Sequence, residues 1–250
     1  MTERSIQGSR LLQRPRQAKR RKRTTSFIAT ARIHSYYDIR VNAVNIYHIY
    51  GLLGLRFRRQ RLKQFVETFQ PTPSTTILDV GGCPEFWPSG FPARITIANL
   101  SIDPAYQGPH KLVKADGREL PFNSKEFDIC FSNSVIEHLG GFDNQRLFAN
   151  EVQRVGSSAW VQTPAASFPI EPHFLSPCVH YFSPKLRRKL IPLTLWALME
   201  KPSRAQMDAV VAEISLLNAS QMAALFPKFE IVRERFLGMT KSLIAVRHDG

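Results

Sequence analysis

The chain has 250 residues, with 43% hydrophobic and 22% charged residues, a balance that excludes wholesale disorder and suffices for one sizeable core. Lys and Arg number 34 against 20 Asp and Glu, a formal charge of +14. The three cysteines, Cys83, Cys130 and Cys178, form no CxxC pair; this argues against a structural zinc site or a disulfide scaffold and fits a reducing, cytoplasmic compartment.

Much of the charge is local. Residues 1–23 hold nine basic residues against one acid, Glu3, so the tail carries +8 of the +14. Residues 1–26 read as a disordered basic tail. Nucleic acid or an anionic membrane surface would suit it electrostatically, and so would bare solvation. The basic start is not followed by an apolar run with a small-residue cleavage site, so a signal peptide is not expected. No run approaches the ~18 apolar residues of a transmembrane helix.

Residues 27–70 are expected to form N-terminal helices. Leu52, Leu55, Leu62, Phe65, Val66 and Phe69 recur at spacings near three and four, and Gly51 and Gly54 predict a break into two helices. Arg56, Arg58, Arg59, Arg61 and Lys63 are expected on a charged outer face. Pro71 and Pro73 close the region, and residues 71–250 form the main domain.

Short apolar, β-branched runs predict strands at Thr75–Val80, Arg94–Leu100, Lys111–Ala115, Phe127–Ser132 and Ala159–Gln162, with a closing pair at Phe229–Phe236 and Lys241–Val246 joined through Gly238. Helical segments expected between them, including one from Asn133 to about Val155, imply a doubly wound α/β sheet covered on both faces. Residues 164–228 depart from this alternation. They carry eight prolines and two helical patterns, Lys185–Met199 and Arg204–Leu225, and read as a cap over the substrate site.

Ligands of open α/β sheets bind outside the carboxyl ends of the strands. Four strand ends carry small or polar residues there: Asp79 with Gly81-Gly82-Cys83, Asn99 with Asp103 beyond it, Asp116-Gly117-Arg118, and Ser132-Asn133-Ser134. Glycine lets a ligand approach the main chain, and a strand-end carboxylate can take an amine. Among groups that could act on a substrate, His138 opens the helical segment after the fourth strand. Glu171 and His173 lie two apart in an extended, proline-flanked segment, so their side chains point the same way. His180 follows. Cys83 reads as a small loop filler, and Trp87, Trp160 and Trp196 as core.

The series LDVGG, ADGRELPF, EFDICFSNSVIEHL and a strand ending in TP resembles the class I S-adenosylmethionine-dependent methyltransferases, in particular the small-molecule and glycan-directed subgroup, over about residues 75–165. The resemblance implies a Rossmann-like, mostly parallel seven-stranded sheet with a reversed last strand. It also implies S-adenosylmethionine as cofactor. Asp79, Gly81 and Gly82 would meet its methionine part, Asn99 its ribose, and Asp116 and Gly117 its adenine, with Ser132 and Asn133 closing the pocket. His138, Glu171 and His173 are then the candidate acid–base residues, and no metal ligands are assigned. Two departures stand out: Cys83 and Glu85 replace the second and third glycines of the loop, and Asn99 is not acidic. The implied reaction is methyl transfer to a nucleophile, an oxygen for preference, of a small-molecule, glycan or lipid-precursor acceptor. The alternatives are a nucleic-acid-associated protein acting through the basic tail, and a silent scaffold with a degraded glycine loop. The [Asn/Asp/Ser]-Pro-Pro-[Tyr/Phe] tetrad of amino-nucleobase methyltransferases is absent; Ser132-Asn133-Ser134-Val135 stands in its place.

Overall fold

The computed structural model describes residues 46–249, and side chains from residue 54 onward. The expected basic tail and the first part of the expected N-terminal helices lie outside the described residues.

Helix α1 runs unbroken from Ile46 to Phe69. The expected break at Gly51 and Gly54 does not occur. A helical glycine costs only about 1 kcal/mol, and strong helix formers such as Leu52, Leu55 and Arg56 flank both positions. Farther along, Leu62, Phe65, Val66 and Phe69 form one stripe that packs on the sheet. Phe65 is fully buried, with its ring 5.1 Å from Phe131 and 5.9 Å from Trp160. The helix ends at Gln70, whose φ is +45°, just before Pro71.

The remaining elements follow in chain order: β1 (Thr76–Val80), β2 (Arg94–Asn99), β3 (Lys111–Lys114), β4 (Phe127–Asn133), α2 (Phe142–Val155), β5 (Gly156–Pro164), a short hairpin of β6 (Ile170–Glu171) and β7 (Ser176–Pro177), α3 (Pro184–Leu190), α4 (Leu195–Glu200), α5 (Arg204–Glu213), α6 (Ala219–Leu225), β8 (Glu230–Phe236) and β9 (Met239–Arg247). Seven strands form one sheet in the order β3-β2-β1-β4-β5-β9-β8. The pairs among β1 to β5 are parallel, whereas β9 runs antiparallel to both β5 and β8. The last strand in the chain is therefore the reversed one, as expected. Strand order switches at β1, which has β2 on one side and β4 on the other.

The connections among β1, β2, β3 and β4 carry no α-helix, contrary to the expected alternation. Pro84, Pro88, Gly90 and Pro92 fill the first of them and Pro104, Gly108 and Pro109 the second, so neither can hold a helical run. Only a 3-10 turn at Pro84–Phe86 forms there. Both faces of the sheet are nevertheless covered. Ile77, Ile97, Ile129, Phe131 and Trp160 pack with α1 and the Phe86–Trp87 loop. Leu78, Val80, Cys130 and Val161 pack with Phe148 and Val152 of α2 and Met222 of α6.

The cap has a small core of its own around Phe174, Val179, Ile191, Val211 and Ile214. Its expected helices are each divided in two. Pro192 lies in a 3-10 turn between α3 and α4, and the chain is extended between α5 and α6. Capping boxes restart the helix at Ser203 and at Asn218. In between, Ser215 donates to the Glu137 carbonyl and Ala166 to the Leu217 carbonyl, which ties the cap to the sheet.

Candidate active site

At the end of β1 the Asp79 carboxyl is 1% exposed. Trp87 Nε1 donates to its Oδ2 at 2.8 Å, while Oδ1 has no hydrogen-bond partner among the described residues. Burial pushes this carboxyl up to about 7, against the smaller opposing pull of the Trp87 bond. Gly82 is dictated by that side chain, since a Cβ at 82 would overlap the Asp79 carboxylate. Gly81 has a φ of +78°, and its N–H donates to Ala98 on β2 at 2.7 Å. The Cys83 thiol is pushed up to about 11 by burial and by Glu85, so it stays protonated and is no nucleophile.

Asn99 ends β2 and pins the glycine loop, with Nδ2 donating to the Gly82 carbonyl at 2.9 Å and Oδ1 accepting from the Ser101 N–H. Asp103 is exposed and caps the Ala105 N–H. Beyond β3, the Arg118 guanidinium grips both oxygens of Asp116, at 2.6 Å from Nη2 to Oδ2 and 3.0 Å from Nε to Oδ1. Gly117 lies against Phe148 and Val80, where a Cβ would collide with both side chains. At the end of β4, Ser132 is buried and donates to the Val80 carbonyl, bridging β4 to β1 at the switch point.

Asn133 reveals a residue that the sequence reading misplaced. Its Oδ1 accepts from Arg61 Nη1 at 2.7 Å. Arg61 is not on the outer face of α1: it is 8% exposed, donates to the Phe57 carbonyl and lies 3.5 Å from Glu234 Oε1. The signal was available, because Phe57, Arg61 and Phe65 repeat every four residues along one face.

The chain then turns at Ser134 (φ +58°) into a 3-10 segment, Ile136–Leu139, which carries Glu137 and His138. Glu171, His173 and His138 come together in one string. Glu171 is fully buried; its Oε2 accepts the Phe174 N–H at 2.7 Å and its Oε1 lies 2.6 Å from His173 Nδ1. His173 Nε2 is 3.1 Å from His138 Nε2, with the two rings nearly perpendicular. Burial opposes charge on both partners of the Glu171–His173 pair, but their mutual attraction outweighs it, so the carboxyl is held below its ordinary value and the imidazole above. Two members went unassigned in the sequence. Glu137 is fully buried and accepts from Thr163 Oγ1 at 2.9 Å, while Glu213 of α5 reaches within 3.4 Å of His138 Nδ1. Glu137 was visible beside His138; Glu213 belongs to no motif, and only the cap's fold brings it near. His180 stays outside the string and lies 3.1 Å from the Ala166 carbonyl.

The sheet order with its single reversed strand, and polar groups gathered at the ends of β1, β2, β3 and β4, define a Rossmann-like class I methyltransferase fold. Residues 92–158 match the family described as "Methyltransferase domain". Over this segment the chain is similar to methyltransferases, and its sheet shares the class I S-adenosylmethionine-dependent methyltransferase fold.

The chain is 38% identical over 89 residues to an uncharacterized methyltransferase of Mycobacterium sp. (strain JLS), covering 32% of this chain and 34% of that protein. It is 35% identical over 80 residues to an uncharacterized methyltransferase of Mycobacterium tuberculosis, covering 28% and 32%. The chain thus spans about a third of the length of the curated relatives it matches. Magnesium protoporphyrin IX methyltransferase from Synechocystis, solved with bound SAH, shares the fold with a TM-score of 0.55 at 12% identity over 87% of this chain and 94% of that one.

The cofactor of this class fits the residues present. Asp79 Oδ1 is a buried acceptor without a partner among the described residues, Gly81 and Gly82 leave bare backbone beside it, and an acid follows β3.

Proposed function

We propose that the chain moves a methyl group from S-adenosylmethionine to an oxygen of a small-molecule, glycan or lipid-precursor acceptor. The observation that carries this reading is the Glu171–His173–His138 string, set after the carboxyl ends of β4 and β5, on the sheet edge where β1, β2 and β3 present Asp79, Asn99 and Asp116. When bound, the cofactor supplies an electrophilic methyl on a sulfonium. Asp79 takes the ammonium of its methionine part, over the bare backbone of Gly81 and Gly82. Asn99 meets the ribose, Asp116 and Gly117 the adenine, and Ser132 and Asn133 close the pocket.

The acceptor enters under the cap, residues 164–228, and its hydroxyl meets the histidine pair. Glu171 holds the Nδ1 proton of His173, which leaves Nε2 as the basic atom that takes the hydroxyl proton. Proximity and alignment supply much of the remaining acceleration.

A silent methyltransferase fold is the second reading, favoured by one observation. The loop after Gly82 forms a 3-10 turn and no α-helix, so no helix N-terminus faces an anionic group there. Calorimetric titration with S-adenosylhomocysteine separates the two. Micromolar binding that is lost in Asp116→Ala supports the enzyme; a folded chain that binds none supports the scaffold. Binding of nucleic acid through the tail would weaken steeply with salt and vanish on deletion of residues 1–23.

A further inference from the structure

The histidine pair poses a question of charge. Glu171 accepts from His173 Nδ1 at 2.6 Å, and Glu213 faces His138 Nδ1 at 3.4 Å. With a proton on each Nδ1, both Nε2 atoms present lone pairs to each other across 3.1 Å. A proton carried on one Nε2, or a metal ion between the two atoms, would satisfy this contact.

A third group singles out the ion. Glu137 is fully buried, and its Oε1 has no hydrogen-bond partner among the described residues. Ligand atoms of Glu137, His138 and His173 all lie within 4.8 Å of one another. Two nitrogens bound tetrahedrally to zinc at about 2.05 Å stand roughly 3.3 Å apart, close to the spacing of this pair. A carboxylate behind the far nitrogen of each imidazole is the usual outer support of a metal-binding histidine, and here Glu171 and Glu213 fill both positions. No spacing motif marks this grouping, since the histidines are 35 residues apart and meet through the β6–β7 hairpin.

We propose that Glu137, His138 and His173 bind one divalent transition-metal ion of the zinc class, with Glu171 and Glu213 as positioning residues. Two imidazoles select such an ion over magnesium or calcium, which prefer all-oxygen sites. Three protein ligands leave a position open to an exogenous oxygen. An acceptor hydroxyl bound there would lose its proton more readily, so the ion would serve the transfer in place of a free imidazole base. The inference goes beyond the methyl-transfer reading and stands on the geometry alone.

The test is calorimetric titration of the chelator-stripped full chain with Zn²⁺ alone. One site is expected per chain, with affinity falling about 100-fold or more in His138→Gln and in His173→Gln, and about 10- to 100-fold in Glu171→Gln. His110→Gln, away from the cluster, should bind as the wild type does. Wild-type affinity no higher than that of the His138→Gln/His173→Gln double variant would overturn the proposal. Should the variants fail to fold, X-ray absorption at the zinc edge of the wild-type complex decides instead: two imidazole nitrogens in the first shell support the site, and fewer overturn it. S-adenosylhomocysteine titrated into the stripped chain is a separate readout. A chain that binds the cofactor but takes up no zinc defeats only the metal site, and one that takes up zinc but binds no cofactor defeats only the transferase reading.

Discussion

Asp79→Asn separates what this carboxyl does for folding from what it does for binding. One oxygen meets the Trp87 indole N–H; the other is buried with no hydrogen-bond partner among the described residues. The carboxyl is raised from 3.8 to about 7. Between those values the folded state holds a proton that the unfolded chain releases. Stability therefore falls as pH rises from about 4 to about 7 and is flat in this respect above, a total of about 4 kcal/mol. The share between pH 5 and pH 8 is about 3 kcal/mol. Asparagine keeps an acceptor for Trp87 and cannot ionise, but its amide leaves a donor unpaired at a cost of about 1–3 kcal/mol. Urea unfolding followed by tryptophan fluorescence should show the variant gaining on the wild type by about 3 kcal/mol from pH 5 to pH 8. The same change should weaken S-adenosylhomocysteine at least about 10-fold, because a neutral amide cannot pair with the ligand's ammonium. Wild-type and variant stabilities that stay parallel across that pH range would refute the reasoning.

Asp116→Ala should lower S-adenosylhomocysteine affinity about 10-fold or more, whereas Arg118→Ala, which only removes the grip on Asp116, should bind no more weakly than the wild type; calorimetry reads both. Arg61→Ala leaves Glu234 with Lys241 alone in a buried setting and should cost about 3 kcal/mol in urea unfolding, while Arg61→Met, which fills the space, leaves the same single ion pair and should recover only the packing. Gly82→Ala pushes a methyl into the Asp79 carboxylate and should cost about 2 kcal/mol, with cofactor binding falling together with stability.

The strands were legible because each is a short β-branched run bounded by glycine, proline or a polar cluster, and such runs bury on both faces only in a covered parallel sheet. The continuity of α1 was not legible. Gly51 and Gly54 look like breaks in a local reading, yet a cost of about 1 kcal/mol each falls well short of what the stripe from Leu62 to Phe69 gains against the sheet. The strand-end residues were found because position alone selects them. Two of their partners were not: Trp87 at Asp79 and Arg61 at Asn133 come from a loop and a helix that meet the strand ends only in the fold. Glu213 is the extreme case. It joins the histidines from a helix whose sequence reads as surface, because the Gly140 N–H holds the Glu213 carbonyl in place.

The histidine pair belongs to neither the sheet nor the cap alone. β4 delivers Glu137 and His138 through the tight turn at Ser134; the cap delivers Glu171, His173 and Glu213. Gln145 of α2 clamps the two, its buried Nε2 donating to Ile136 on the sheet side and to Ser215 on the cap side. The Glu137 carbonyl accepts from Ser215 while its carboxylate accepts from Thr163 of β5, so one residue reports the position of both parts. A cap displacement of about 1 Å would therefore stretch the His138–Glu213 contact and misalign the two Nε2 atoms before any cofactor contact changed. Under the proposed transfer, acceptor recognition and activation of the acceptor would thus share one mechanical element, and a change in the cap that admits a different acceptor would also reset the geometry of the groups proposed to activate it.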